Sequence, residues 1–461
     1  MAVAAQAAVL MISVSWAFGG NADWVRTPIS LLGTLGMVLT AGVIADPVGR
    51  GRILGGGLRW ALPVAALNVL VLASCLTPGF RQVSFGLERM LMPVEMPWWR
   101  PSAARPELAL RSLWLFDGIY FSCLNLALAV SRRRTLRIVL AIVVGNALVL
   151  AVFGTTQKLL GATGIYFGAV RSPQDYFFAS FVYDNHWGAF MVLMIAACVG
   201  LTLRYAYGRR GEGFFRGPSL VGLVAVLMLG LSVPLSGSRA CTLLVGVVCC
   251  LALVKGWPTI LGALRHSGVR PGVVYGGTAL LAILVAWAAW TVAGEVIESR
   301  AAKARAQVAA ILAQGGLGTR AVLYRDTWRM ARERPVFGWG MGSYPTVFAL
   351  YNTQKPNRDR LPVIYHDAHS DWLQSVAEIG FAGTALIGAA VLLPLTALCR
   401  RMLTPIPYFL LSGCLLVALY SWVEFPFGNV AVTLAWWLCF FAAVQYARLT
   451  DAHSAPDAAA E

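Results

Sequence analysis

Charge is what this chain has least of. Asp, Glu, Lys and Arg make up 13% of its 461 residues, against about 25% in an ordinary soluble domain. With 58% hydrophobic residues and a mean hydropathy of +0.68, that scarcity excludes a soluble globular enzyme and a disordered chain. Nucleotide-binding loops are absent too. Neither a Walker A sequence nor a Gly-rich dinucleotide fingerprint occurs, so ATP-driven chemistry on this chain has no phosphate cradle. The nine Cys give no disulfide framework and no metal-ligand spacing. Most, including Cys123, Cys198, Cys249, Cys250, Cys414 and Cys439, lie inside apolar blocks and read as small packing residues. There is no internal repeat and no low-complexity segment.

What is present is a series of apolar blocks of about 17–22 residues, the length of a bilayer-spanning helix. They predict an all-α polytopic membrane protein of about twelve spans: 1–18, 28–46, 60–78, 112–130, 136–156, 185–203, 219–235, 240–255, 273–293, 380–399, 406–424 and 428–447. The first is short, uncharged and without the basic n-region of a signal peptide. The net charge of +16 sits mostly at block ends and is carried mostly by Arg, a pattern of topology signals and headgroup contacts, not of nucleic-acid binding. With both termini inside, the inner loops hold seventeen Lys and Arg, among them Arg132, Arg133, Arg134, Arg400, Arg401 and Arg448. The short outer loops hold four: Arg26, Lys158, Arg171 and Arg239. This is a positive-inside bias. The expected organisation is spans one to nine over 1–293 with an outer loop at 79–111, a helical outer loop domain over 294–379, spans ten to twelve over 380–447, and an inner tail over 448–461.

The long outer loop carries the polar chemistry. Two helices are expected in it, roughly Glu295 to Ala313 and Thr319 to Arg334, the second stopping before Pro335. Gly338, Gly340 and Gly342 then allow tight turns, and the run His366-Asp367-Ala368-His369-Ser370-Asp371 leads into span ten. Arg239 sits in a tight outer turn between two spans, Arg320 opens the second loop helix, and His369 precedes span ten. Arg offers a planar fork for phosphate oxygens, and His can take a proton near neutral pH. Together they could hold a lipid diphosphate and deprotonate an incoming hydroxyl. Blander roles are open to each. Arg239 suits a headgroup contact. Arg325, Arg329 and Arg332 share one helix face that suits solvent or substrate binding. His366, three residues before His369, would share its face on a helix. The His366, Asp367, His369 and Asp371 run has no diagnostic metal spacing, so no metal and no cofactor is expected.

These landmarks in this order resemble the O-antigen ligase and polymerase superfamily. The resemblance is carried by Ser238-Arg239-Ala240, by Gly318-Thr319-Arg320 with Trp328, Pro335 and the Gly338/Gly340/Gly342 run, and by His369 through Gln374 followed by Glu378 and Gly380. Asp184-Asn185-His186 looks like the Asn-His pair of many members. The strongest part covers about 185–385. The family usually has Asn after the His, where this chain has Ser370. The resemblance implies a GT-C-like helical fold in the bacterial inner membrane with the active site facing the periplasm. It implies an undecaprenyl-diphosphate-linked glycan as donor and lipid A-core, or another glycan, as acceptor. Arg239 and Arg320 would bind the donor diphosphate and His369 would be the base, with Arg325, Arg329, His186, Asn185 and His366 as substrate-binding candidates.

The chemistry fits that assignment. Negative charge grows on the diphosphate as the glycosidic bond breaks, fixed Arg donors stabilise it, and attack opposite the diphosphate inverts the anomeric carbon. Three acceptors remain open: lipid A-core for a ligase, a growing glycan for a polymerase, and protein Ser or Thr for an oligosaccharyltransferase. A lipid-linked glycan transporter would need polar residues along a midplane path, and Asn68, Asp117, Asn125 and Asn146 are the few candidates within spans.

Overall fold

The computed structural model describes residues 1–45, 57–86, 88–174, 176–207, 218–266, 319–354, 364–399 and 401–449. Helices dominate them: α1 (Ala2–Trp16), α2 (Asp23–Ala45) and α3 (Leu62–Cys75), then α4 (Pro106–Ala129), α5 (Arg133–Leu159), α6 (Asp184–Tyr207), α7 (Pro218–Ser236) and α8 (Arg239–His266). After these come α9 (Thr319–Glu333), α10 (Asp371–Leu395), α11 (Pro405–Tyr420) and α12 (Val430–Arg448). Among the described residues eight helices are long and apolar enough to cross a membrane, and α1, α3 and α11 are shorter apolar helices. Every expected span within the described residues is a helix. Span 273–293 and the expected loop helix from Glu295 to Ala313 lie outside them. Among the described residues the named strands form a single antiparallel hairpin of β1 (Phe80–Phe85) and β2 (Glu88–Pro93) between α3 and α4. The chain is an all-α polytopic membrane protein.

Two helices form the axis. The apolar windows of α6 and α12 are 89% and 94% buried, whereas that of α8 is only 22% buried and presents its sides outward. The surrounding helices pack on this pair, α11 and α7 against α6 and α4 against α12. Outward side chains such as Leu31, Leu35, Val38, Val221 and Leu243 are exposed and apolar, as a lipid-facing surface requires.

The polar residues inside spans bind helices together. Asn68 donates to Asp117 Oδ1 at 3.0 Å, joining α3 to α4. Asn125 donates to the Gly36 carbonyl at 2.8 Å and accepts from Thr40, joining α4 to α2. Asn146 accepts from the Trp16 indole and donates to Ser15, joining α5 to α1. All four midplane candidates for a transport path are thus engaged as interhelical cross-links.

At one end of the bundle basic side chains meet aromatic rings. Arg448 lies over Trp60 at 4.9 Å, Arg133 over Tyr446 at 5.0 Å and Lys255 over Tyr408 at 4.9 Å. These pairs have the composition of a membrane-interface belt. The opposite end gathers the N-termini of α6, α8, α10 and α12 and carries the candidate site.

A glycine kink sets how α10 reaches that end. Gly380 has φ 67° and ψ −177°, which interrupts the helix. The segment 335–340 lies against the break and satisfies the freed backbone groups. Phe381 N–H donates to the Pro335 carbonyl at 2.8 Å and Ala382 N–H to Val336 at 3.0 Å, while Trp339 N–H donates to Ala377 at 3.0 Å and Gly340 N–H to Glu378 at 2.7 Å. The Glu378 carboxylate closes the clasp by accepting from Gly342 N–H at 2.8 Å and Tyr344 N–H at 3.0 Å. A Cβ on Gly380 would overlap the Val336 carbonyl. Gly380→Ala should therefore destabilise the protein by at least about 1–3 kcal/mol from backbone strain alone, read as a lower melting temperature in detergent, whereas Gly388→Ala, which meets open space, should leave it unchanged.

Candidate functional site

The site is built around a residue that the sequence reading did not single out. Glu424 lies in the short connection between α11 and α12 and is 3% exposed. Its carboxylate meets three groups from distant parts of the chain. The Arg320 guanidinium, at the start of α9, is paired with Oε1. Asn185, in the first turn of α6, donates to the same oxygen at 3.3 Å. His369 Nδ1 is 3.5 Å from Oε2, an ion-pair distance longer than a hydrogen bond. Burial alone would raise the Glu424 carboxyl, but His369 and Arg320 hold it below its ordinary value. The carboxylate therefore remains ionised.

Each partner is held from behind. Asn185 accepts from the Ser238 hydroxyl at 2.6 Å and donates to Tyr183 OH at 2.8 Å. Arg320 Nη1 donates to the Val423 carbonyl at 3.3 Å, and Tyr324, one turn on, donates to the His369 carbonyl at 2.8 Å. The His369 ring meets the Phe425 ring edge-on at 4.6 Å. Asp371 accepts from Phe427 N–H at 2.9 Å, which ties the start of α10 to the Glu424 connection.

His369 stands just before a helix and not within one. Its φ is 53°, a left-handed conformation uncommon outside Gly, Asn and Asp. Ser370 is extended and is the N-cap of α10, its hydroxyl accepting from Leu373 N–H at 3.4 Å. Ser and Asn are both favoured caps, so Ser370 supplies by its hydroxyl what the family's usual Asn would supply by its amide. Because α10 begins only at Asp371, the shared helical face expected for His366 and His369 does not exist. His366 is exposed. Between the two, burial pushes the Asp367 carboxyl above its ordinary value despite the pull of His369, His366 and Arg26.

The other expected site residues divide. Arg239 is exposed at the first position of α8, directly after Ser238. A guanidinium there adds to the positive end of the helix dipole, an arrangement that favours an anion. Asn185 is a buttress of Glu424. His186 is 3% exposed, with Nε2 3.2 Å from the Phe425 carbonyl and Nδ1 3.4 Å from Asn21 Nδ2. Both its nitrogens are engaged, so it holds the connection in place and does not face a ligand. Arg325 is turned away, donating to Thr353 at 2.8 Å and meeting Asp326 at 3.2 Å. Arg329 is exposed on the same outward face. Among the described residues, no cluster of three or more His, Cys, Asp or Glu side chains is placed to hold a metal ion.

The Glu424 pairing should show in stability against pH. A carboxyl held below its ordinary value stabilises the fold above that value and loses the contribution as pH falls through the lowered one. Glu424→Gln keeps the amide-to-backbone framework but removes the charge. It should melt below wild type at neutral pH by about 1 kcal/mol, since Arg320 is half exposed and can resolvate, and the gap should close only in acid below the ordinary carboxylate range. A gap unchanged down to that acid range would show that Glu424 is not the ionised partner.

The arrangement is one buried carboxylate aligning a guanidinium and an imidazole at the mouth of a helix bundle, with a second guanidinium at a neighbouring helix N-terminus. Residues 223–388 match the family described as O-antigen ligase. That stretch includes Arg239, Arg320 and His369 and ends before Glu424. No curated protein matches the chain. Members of the family are glycosyltransferase-like enzymes that work on lipid-linked glycans. Over that segment, roughly a third of the 461 residues, the chain is similar to the O-antigen ligase family, and its multi-span helical fold accords with the likeness.

Proposed function

We propose that the protein is an O-antigen ligase, transferring a glycan from undecaprenyl diphosphate to a hydroxyl of lipid A-core on the periplasmic face of the bacterial inner membrane. The observation that carries this reading is the Glu424 carboxylate bridging Arg320 and His369. It joins a diphosphate-binding group to a proton acceptor. The membrane orientation is supported by the arginines of the opposite end, which match the cytoplasmic excess of a positive-inside protein.

Arg320 is half exposed, so its guanidinium, held by Glu424 and the Val423 carbonyl, still presents N–H groups to a diphosphate oxygen. Arg239 offers the second fork from the end of α8. Glu424 beside Nδ1 selects the tautomer that carries its proton there and leaves Nε2 to receive the acceptor's. Such a carboxylate orients the base and stabilises the imidazolium that forms. The acceptor oxygen bonds to the anomeric carbon as its proton passes to Nε2. The bond from that carbon to the diphosphate oxygen breaks, and its electrons leave with undecaprenyl diphosphate. Attack from the opposite face inverts the anomeric carbon. The arginines supply the positive charge a metal would otherwise bring, so the reaction is metal-independent.

Deleting the gene tests the reading directly. Loss of long glycan from lipid A-core with accumulation of lipid-linked polymer is expected. Core capped with a single repeat would instead mark a polymerase. In purified form, with EDTA present, transfer from a lipid-diphosphate glycan should continue. His369→Ala should lower it by about 10²–10⁴-fold, the usual worth of a general base, while donor binding persists. Glu424→Gln should reduce it at least about tenfold by misorienting the base. His366→Ala should be near wild type. An active His369→Ala, or a transfer that EDTA stops and Mg²⁺ restores, would overturn the mechanism.

A further inference from the structure

The hairpin between α3 and α4 has no function in the scheme above and an unusual surface. Residues 79–105 leave the end of α3, form β1 and β2, pass through Pro97-Trp98-Trp99-Arg100-Pro101 and return to α4. A two-stranded ribbon alone is marginal in water and needs a partner layer. Among the described residues none covers it. Consecutive Met90, Leu91 and Met92 are 52%, 39% and 41% exposed, so both faces of β2 are open, and Trp98 and Trp99 are 56% and 59% exposed. Five large apolar side chains uncovered within ten residues call for an apolar or interfacial medium.

The base of the excursion, by contrast, is fixed. Gly79 N–H donates to the Ala103 carbonyl at 2.8 Å, Val94 N–H to Gly79 at 2.9 Å and Ala104 N–H to Trp339 at 2.7 Å. Arg334 is hydrogen-bonded to the Ser102 hydroxyl and stacks on the Trp339 ring at 4.0 Å. The base therefore belongs to the clasp around Gly380. Both ends of the excursion join helices of the bundle at the site end, next to their exposed apolar sides. Leu72 and Leu76 at the end of α3 are 49% and 86% exposed, so the apolar surface of the spans runs on into the ribbon. Residues 79–105 hold four Arg and two Glu, and Arg81 and Arg100 are exposed beside the apolar cluster. Trp at the boundary with Arg beside it is the composition that settles at headgroup level.

We propose that residues 80–100 are an interfacial anchor. Met90 to Met92 and Trp98-Trp99 enter the boundary between headgroups and acyl chains of the leaflet at the site end, and Arg81 and Arg100 meet anionic lipid phosphates. The anchor fixes the height of the clasp, and with it the start of α10, relative to the membrane. A sugar-stacking platform would use the two Trp but would leave Met90 to Met92 without a medium. The anchor does not depend on which glycan the enzyme transfers.

Photo-crosslinking of the full chain tests it. Trp98 and Leu91 are each replaced singly by p-benzoylphenylalanine, with Leu35 on the lipid-facing side of α2 as positive control. The protein is placed in nanodiscs of equal phosphatidylethanolamine and phosphatidylglycerol, with lipopolysaccharide added in a second arm. Both positions should give phospholipid adducts as Leu35 does. The ratio of phosphatidylglycerol to phosphatidylethanolamine adducts should fall roughly five-fold when Arg81→Gln and Arg100→Gln are combined. Lipid adducts at position 35 but none at 91 and 98 would overturn the proposal, as would adducts to lipopolysaccharide glycan alone. An unchanged adduct ratio would remove the arginines from it.

Discussion

An ionised carboxylate cannot be left alone in a protein interior, and Glu424 imposes that constraint on the site end of this bundle. Burial of an unpaired charge is costly enough that the fold must bring partners to it. The partners come from three directions. Asn185 opens α6, Arg320 opens α9, and His369 precedes α10. Asn185 and Arg320 stand more than a hundred residues apart and His369 follows about fifty residues later, yet one carboxylate sets all their positions. The connection that carries Glu424 is in turn pinned by Asp371, by His186 and by Asn21, which accepts from Asn429. Functional geometry and burial energetics are therefore the same requirement here. A site held this way has its guanidinium and imidazole fixed before any ligand arrives, which is the condition for electrostatic stabilisation without reorganisation.

The second organising feature is the clasp on the α10 kink. A break in a membrane-crossing helix exposes backbone groups that lipid cannot satisfy. The segment from Pro335 to Gly340 satisfies them, and the close approach is why it needs glycine: a Cβ on Gly338 would overlap the Glu378 carbonyl just as one on Gly380 would overlap Val336. Glu378 and Gly380, which read in the sequence as family landmarks, are thus structural. They set the direction in which the first turns of α10 present His369 and Asp371, and the same clasp holds the root of the β-hairpin.

Much of this was legible in the sequence, because it follows from rules that act locally. Apolar blocks of bilayer length become helices whatever surrounds them. The helix from Thr319 was marked by the Pro335 that stops it. The association of Arg320 with His369 was suggested by the family order of the landmarks, but the group that joins them was not. Glu424 sits in Ser421-Trp422-Val423-Glu424-Phe425-Pro426, with no spacing partner and no motif. The one available signal was a lone acid in an apolar stretch beside Pro and Gly, where an unpaired carboxylate would be expensive. The roles of His186 and Asn185 were likewise hidden, since their partners lie more than two hundred residues away in the Glu424 connection. The apolar span begins at Gly380, while the helix that carries it begins at Asp371, near His369 as the sequence suggests, once Ser370 caps it.

The distribution of polar groups through the bundle also supports the proposed enzyme over a carrier. A carrier needs polar groups that change partners as substrate crosses the midplane. In this fold Asn68, Asp117, Asn125 and Asn146 each make a bond that fastens one span to another. The polar groups with an open side, Arg239, Arg320 and His369, lie at one end of the spans. A lipid diphosphate presents its charge at that same level while its chain stays among apolar side chains. An imidazole in left-handed backbone, directly before a capped helix, is a costly local arrangement, and it is maintained where Glu424, Phe425 and Tyr324 all bear on His369. Strain kept in place by three separate contacts, at the end of the bundle where the proposed donor would present its diphosphate, supports the proposed chemistry at the membrane surface over passage through it.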